Sequence, residues 1–349
     1  MTQWPKIPIQ RDNGETEEAQ APLIISASRS TDIPAFYADW FFHRLKMGYS
    51  AWTNPFNGVK SFVSYGNCRF IVFWSKNPKP LLEHLDELKE RNIGCYIQYT
   101  LNDYMKEGLE KGVPPLKERI DTFKKLVEKM GKGRVIWRFD PLILADQIGL
   151  DELLRKVENI GDQLFDYTEK LVFSYADIAL YKKVKANLEK SHVNYQEWTI
   201  EQMEEFAQRL SALNQKWHYQ LATCGEKINL EQYGIQHNRC VDDDLMIRFA
   251  HKDEVLMNFL GVEIKPAEDL LFVPEHSILL DDGRVAIKTK DNKDKGQRQF
   301  CGCMVSKDIG EYNTCPHLCE YCYANSSKEV AVRNWEEHKN NRFGETIKG

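Results

Sequence analysis

The chain predicts an α/β fold: a complete or partly open (β/α) TIM-like barrel followed by a C-terminal cysteine-rich segment. Three observations carry this. Short apolar runs alternate with amphipathic stretches seven times between residues 23 and 223, and continuous apolar strands separated by helices build a parallel sheet covered on its outer face. Most of those runs end in polar residues, where the active face of a barrel lies. Five of the nine cysteines fall within the twenty-two residues from Cys301 to Cys322.

In chain order, residues 1–21 read as a polar, irregular arm. Strands are predicted at 23–28 (LIISAS), 49–53 (YSAWT), 69–74 (RFIVFW), 95–100 (CYIQYT), 134–139 (RVIWRF), 170–175 (KLVFSY) and 217–223 (WHYQLAT). Helical patterns fill 35–47, 79–91, 115–130, 150–164, 178–190 and 199–215, and an eighth strand is expected near 245–249 (LMIRF) or just beyond. The main rival is a doubly wound open sheet. The strand ends favour the barrel: Arg29 and Asp32 follow the first run, Thr53, Asn54 and Pro55 the second, Ser75, Lys76 and Asn77 the third. Asn102, Asp140, Asp177, Cys224 and Glu226 follow the others, placing all of them around one mouth. Residues 261–300 hold a D-D-G turn and a charged linker, and 327–340 (SKEVAVRNWEEHKN) form a closing helix. The division is then an arm at 1–21, a barrel at 22–260, and a linker, cysteine loop and closing helix at 261–349.

A net charge of −5 gives no global basic bias, so avid, sequence-blind nucleic-acid binding is not indicated. The N-terminus has no signal-peptide core, and no stretch approaches the length of a membrane helix, so a cytoplasmic protein is expected. Cysteines in that compartment point to metal or redox work rather than disulfides. The chain contains no G-x-x-x-x-G-K-[ST], G-x-G-x-x-G or H-E-x-x-H motif, which leaves nucleotide hydrolysis, ordinary NAD chemistry and zincin chemistry unsupported.

Cys315, Cys319 and Cys322 read C-P-H-L-C-E-Y-C. Thiolates at such short spacings wrap a loop around an iron–sulfur cube, and three of them leave the fourth iron of a [4Fe–4S] cluster open. C-x3-C-x2-C with an aromatic before the last cysteine, here Tyr321, is the spacing of radical S-adenosylmethionine (SAM) enzymes. In those enzymes SAM chelates the open iron, and its cleavage yields a 5′-deoxyadenosyl radical that abstracts hydrogen. Cys301 and Cys303 form a C-x-C pair, and Cys224 and Cys240 lie at or after the seventh strand. These four are the complement for a second, fully ligated [4Fe–4S] cluster; the alternative is that Cys224 and Cys240 are buried small apolar residues. Zinc is the alternative for the C-terminal run, with His317 inside it. Cys68 and Cys95 read as core residues.

The stretches I-S-A-S-R-S-T-D-I-P-A-F (25–36), F-W-S-K-N-P (73–78), W-R-F-D-P (137–141) and C-G-C-M-V-S-K-D-I-G-E-Y-N-T-C-P-H-L-C-E-Y-C-Y-A-N (301–325) resemble the bacterial and archaeal family filed as "domain of unknown function 1848". The likeness spans most of residues 22–326. It implies an iron–sulfur protein whose C-terminal cysteine cluster is like the one radical SAM proteins carry near the N-terminus. Two features differ from ordinary radical SAM proteins: the cysteine run follows the barrel strands, and A-W-T-N-P-F-N-G stands where a Gly-Gly-Glu usually lies.

Arg29, Asp32, Arg138 and Asp140 are candidates for the catalytic or substrate site, with Lys76, Asn77 and Tyr321 for cofactor binding. An arginine after the first strand can clamp a carboxylate or phosphate; an Arg29–Asp32 brace of the loop is the plainer reading. Lys76 and Asn77 before a proline suit an anion. Arg138 and Asp140 alternate along one strand and point the same way, as a mouth pair or a buried salt bridge. Gln98 and Thr100 share a strand face, and Lys307 and Asp308 stand close enough to the C-x-C pair to neutralise or orient a cluster. Trp52, Trp74 and Trp137 suit stacking or core packing. His84, His192, His237 and His251 have no spacing that groups them as ligands. The expected partners are an unassigned small-molecule or macromolecular substrate and an electron donor such as ferredoxin or flavodoxin.

Overall fold

The structure, a computed structural model, describes residues 4–54, 57–270, 272 and 274–349. Pro55, expected at a strand end, and the first three residues of the expected arm lie outside the described residues.

The N-terminal arm is not irregular. β1 (Lys6–Gln10) and β2 (Thr16–Gln20) form an antiparallel hairpin. The wholly buried β3 (Ile24–Ala27) opens the main sheet. Asp32 then caps α1 (Ile33–Phe36) by accepting from the Ala35 N–H, and α2 (Ala38–Met47) ends at Gly48 in the left-handed region, as helix ends commonly do. The second predicted run is β4 (Tyr49–Thr53). It is a strand outside the main sheet: it pairs antiparallel with β5 (Lys60–Ser64), and the two join the hairpin in a four-stranded sheet ordered β1-β2-β5-β4. An apolar run specifies strand propensity but not its pairing partner.

The remaining runs alternate as expected, joined by three short strands that the pattern did not predict, at 144–145, 195–196 and 235–237. They are β6 (Phe70–Ser75), α3 (Leu85–Glu90), β7 (Gly94–Thr100), α4 (Leu116–Met130), β8 (Val135–Leu142), the short β9 (Leu144–Ala145), α5 (Leu150–Leu164), β10 (Lys170–Tyr175), α6 (Lys182–Lys190), the short β11 (Tyr195–Gln196), α7 (Ile200–Asn214), β12 (Gln220–Thr223) and β13 (Ile235–His237). α7 starts at a capping box of Thr199 and Gln202, which satisfies two orphan N–H groups reciprocally. LMIRF at 245–249 is not a strand but part of α8 (Asp243–Ala250). Asp242 caps that helix, and Met246 and Ile247 are buried by it. After α9 (Glu254–Leu260), the expected linker holds a three-stranded antiparallel sheet of β14 (Val262–Pro266), β15 (Ile278–Leu279) and β16 (Arg284–Lys288). β17 (Lys307–Asp308) and α10 (Lys328–Asn340) complete the chain.

The main sheet has eight strands in the order β13-β12-β10-β8-β7-β6-β3-β17, and every pairing is parallel. Its edge strands β13 and β17 are not paired with each other, so a completely closed ring is not formed. The sheet nevertheless curves on itself. From β7, in its middle, the Tyr96 hydroxyl and Gln98 Nε2 donate to the Cys240 carbonyl just past the β13 edge, at 2.8 and 3.0 Å. The Met304 N–H, upstream of β17, donates to the Val241 carbonyl at 3.0 Å. The gap between the sheet edges is therefore bridged by two chain segments, and each carries cysteines. One apolar core, including Ile25, Ile71, Ile97, Trp137 and Phe173, lies between the sheet and its covering helices. A second, including Val72, Tyr96, Ile136, Val172 and Met246, fills the opposite face.

Candidate metal centre

Parallel strands present their C-terminal ends as a common edge, and loops leaving it carry the chemistry of such folds. The C-terminal cysteine loop is pinned to this edge at three neighbouring strands, β3, β6 and β7, and a fourth, β8, braces them. After β3, Asp32 Oδ2 meets His317 Nε2 and accepts from the Lys76 N–H, both at 2.7 Å. After β6, Lys76 Nζ donates to Glu110 Oε1 and the Tyr321 hydroxyl, both at 2.8 Å. After β7, Asn102 Nδ2 donates to the Tyr321 hydroxyl at 3.1 Å and to the Asp140 carbonyl, at the end of β8, at 3.2 Å. Tyr321 also donates to Glu110. From the other side α10 holds the loop through Asn334 Nδ2, which donates to the Asn313 carbonyl at 2.8 Å.

Backbone N–H groups face the sulfurs of this loop: those of His317 and, from beyond the end of β3, Asp32 at Cys315, and those of Asn325 and Ala324 at Cys322. Burial pushes all three thiols up, Cys315 to about 12. A cation that bound these sulfurs as thiolates would therefore displace protons.

Gly112 shows how closely the loop packs. Its N–H donates to the His317 carbonyl at 3.0 Å, and a Cβ there would lie 2.6 Å from that same oxygen. The obstacle is backbone and cannot swing aside. Gly112→Ala is expected to cost on the order of 1–3 kcal/mol and to loosen the loop, checked by chemical denaturation and by metal retention through gel filtration.

The second set gathers cysteines remote in sequence. Cys224 and Cys240 Sγ are 3.4 Å apart. Cys303 Sγ accepts from the Cys240 and Val241 N–H groups at 3.2 and 3.4 Å and also meets the thiols of Cys240 and Cys301. Cys240 Sγ accepts from Arg138 Nη1 at 3.1 Å and Asn238 Nδ2 at 3.2 Å. Hydrogen bonds from neighbouring thiols, first that of Cys224, hold Cys240 well below its ordinary value. Its contact with Cys303 holds Cys301 down at about 6. Three guanidinium groups face the set. Burial alone would lower each of them, but the sulfurs of Cys303, Cys240 and Cys301 with Asp308 raise Arg29, those of Cys240 and Cys224 with Asp140 raise Arg138, and Tyr181, Cys224 and Cys301 raise Arg298.

Arg29 links the two sets. Its carbonyl accepts from the Tyr323 hydroxyl at 2.5 Å, one residue beyond Cys322, while its guanidinium charge acts on the second set. Its N–H donates to Asp308 Oδ2 at 3.0 Å, and the carboxylate of Asp308 also takes Ser26, Ser28 and the Gly310 N–H. The guanidinium lies 5.2 Å from the Trp74 ring centroid, and its Nη2 is buried without a hydrogen-bond partner. The expected brace between Arg29 and Asp32 is thus replaced by separate tasks. Arg138 and Asp140 do form a salt bridge, and Asp140 also takes the Ser174 hydroxyl. The Asn77 N–H donates to Ser75 Oγ at 2.9 Å, closing the turn before the proline. Trp137 is core, whereas Trp52 lies 3.6 Å beneath Lys307 Nζ. Cys68 and Cys95 are buried, with their thiols raised by burial to about 12.

Reading the sequence missed Glu110, which sits in an irregular loop with no motif around it, and the weight of Glu226. Glu226 accepts from the Tyr175 N–H at 2.9 Å; burial, aided by Asp177 and Asp140, pushes it up to about 8. Its folded pKa is raised, so its contribution to stability is complete below about pH 4.5 and is lost as pH rises through about 8, a few kcal/mol in all. Glu226→Gln is expected to remove this decline, checked by urea midpoints across that range.

Taken together, an α/β scaffold with an eight-stranded parallel sheet carries two cysteine sets, a donor chemistry compatible with metal binding. The chain belongs to the family described as domain of unknown function (DUF1848), whose sequence model matches residues 24–324. No curated protein and no solved structure matches the chain. Among the described residues no helix is long and apolar enough to cross a membrane.

The donor spacing bears on which metal fits. Four thiolates around one zinc ion at about 2.3 Å stand roughly 3.8 Å apart. In the second set Cys224 and Cys240 Sγ stand 3.4 Å apart, close to that spacing, while among the described residues no three cysteine sulfurs lie within 4.8 Å of one another.

Proposed function

We propose that the chain is an iron–sulfur protein acting as an atypical radical SAM-like enzyme on a partly open, barrel-like scaffold. Cys315, Cys319 and Cys322 hold a [4Fe–4S] cluster with one open iron, and Cys224, Cys240, Cys301 and Cys303 hold a second, fully ligated one. The single observation that supports this most is the meeting of four cysteines from three distant segments, faced by Arg29, Arg138 and Arg298. A fully ligated cube with four thiolates is an anion, and the guanidinium groups of buried Arg138, half-buried Arg29 and exposed Arg298 offset its charge.

The chemistry supplied by a bound, reduced cube at the C-terminal trio is one electron for cleavage of the SAM sulfonium. The chain's own residues position and shield. Tyr321, Lys76, Asn102 and Glu110 fix the loop; His317 and Asp32 lock its other end; Cys319 is nearly sealed from water. Arg29, with its unpartnered Nη2, is the group suited to a carboxylate of SAM or substrate. An electron donor such as ferredoxin or flavodoxin supplies the reducing equivalent.

One observation favours a second reading, an iron–sulfur electron carrier or sensor without SAM cleavage. Asp32 and Lys76 are already engaged in pinning the loop. Anaerobic incubation of the cluster-loaded protein with dithionite and SAM separates the two. The first reading predicts 5′-deoxyadenosine; its absence with both clusters loaded and reduced leaves the carrier.

A further inference from the structure

We propose that His251, Asp281 and Asp282 bind a divalent transition-metal ion, at a site separate from both cysteine sets. The sequence separates His251 from the two aspartates by thirty residues; the fold brings the end of α8 against the turn between β15 and β16. His251 is 7% exposed, and both its ring nitrogens are buried without a hydrogen-bond partner. Leaving such groups unmade costs about 1–3 kcal/mol each, and the two aspartates that face Nε2 form ion pairs with it rather than hydrogen bonds, so the imidazole has room for a further partner.

The distances say what that is. His251 Nε2 lies 3.5 Å from Asp281 Oδ1 and 3.3 Å from Asp282 Oδ2, and the three ligand atoms all fall within 4.8 Å of one another. These gaps exceed the usual hydrogen-bond range of about 2.7–3.2 Å. Nitrogen and oxygen ligands about 2.0–2.2 Å from a metal stand roughly 3.3–3.5 Å apart in tetrahedral geometry, which matches.

The surroundings fit a metal site as well. Arg284 fixes Asp282, its Nε and Nη2 donating at 3.0 and 2.7 Å to Oδ2, the oxygen that faces His251, and its backbone N–H to Oδ1 at 3.1 Å. Ligating carboxylates are commonly oriented by such outer partners. The two carboxylates exceed the one guanidinium by a negative charge, leaving the site anionic before a cation arrives. Asp281 is largely exposed, its side chain 79% accessible, which opens an entry path and leaves room for water in the remaining position. One nitrogen and two carboxylates suit manganese, iron(II) or zinc rather than a soft thiophilic ion. Bound there, the ion ties the β15–β16 hairpin to the helix that starts just after Cys240.

Mn2+ is the probe, because it prefers oxygen and nitrogen ligands and leaves thiolates to other metals. The full chain, with its cysteine centres as isolated, is titrated with Mn2+ and the free ion is followed by electron paramagnetic resonance. The expected result is one saturable site, weakened about tenfold or more in Asp281→Asn and His251→Gln and unchanged in Asp244→Asn, which alters the other acidic cluster. Asp281 is exposed, so its variant keeps the fold even if the His251 variant does not. No saturable binding by the unaltered chain, or equal binding by Asp281→Asn, overturns the assignment. Neither result bears on the cysteine sets, whose content is measured separately as iron and sulfide.

Discussion

Replacing Arg138 by methionine is expected to destabilise the protein by about 3 kcal/mol, the lower end of the cost of stripping one partner from a buried ion pair. Arg138 is 3% exposed and serves three acceptors at once: Gln98 Oε1 and Cys240 Sγ through Nη1, each at 3.1 Å, and Asp140 Oδ2 through Nε at 3.2 Å. Methionine fills the volume and supplies none of these bonds. The cost stays at the lower end because the Asp140 side chain retains 23% exposure and its bond from Ser174. The same change removes a positive charge from the four-cysteine set, so metal retention falls along with stability. Urea denaturation gives the first effect, and metal content after gel filtration gives the second. A variant with unchanged stability would mean that Arg138 does not carry this network.

Lys76→Met is expected to cost about 3 kcal/mol at neutral pH, and this effect has a pH signature. Glu110, with a side chain only 1% exposed, is pushed up by burial, but Lys76 and then Arg119 overcome this and hold it at about 2. A carboxyl with a depressed folded pKa stabilises fully above its unfolded value, and that stability is lost as pH falls through the folded value. The unaltered protein should therefore lose about 3 kcal/mol between roughly pH 4.5 and 2 from this group. In the variant Arg119 remains, 3.9 Å from Glu110 Oε2, and cannot replace a 2.8 Å contact. The stability gap between the two proteins should be widest near neutrality and close towards about pH 2–3, as measured by denaturant midpoints across the range. A gap that stays constant with pH would contradict the pairing.

Most strands of the main sheet were legible because each is a continuous apolar run bounded by polar residues, and Ile24–Ala27, Phe70–Ser75 and Lys170–Tyr175 fall within a residue of expectation. For the second run what failed was pairing rather than propensity. Tyr49–Thr53 is a strand, but its neighbour is Lys60–Ser64, which a one-dimensional pattern does not reveal. Lys6–Gln10 and Thr16–Gln20 read as polar arm because much of the hairpin faces solvent. LMIRF looked like a strand although the acidic cap signal D-D-D stood directly before it. The C-terminal cysteine run was legible because its short spacing keeps its three residues in one loop, whereas only the fold brings Cys224 and Cys240 to Cys303. Glu110 left no such spacing, since a buried carboxylate in a loop acquires meaning only from the lysine and tyrosine that the fold brings to it. His251 is the same case: its partners lie on a turn thirty residues away.

The central claim is that both cysteine sets hold iron–sulfur cubes, and iron and acid-labile sulfide counted in anaerobically reconstituted protein test it most directly. About eight irons and eight sulfides per chain are expected, four of each for each cube. Zinc in place of iron, with no sulfide, would contradict the account.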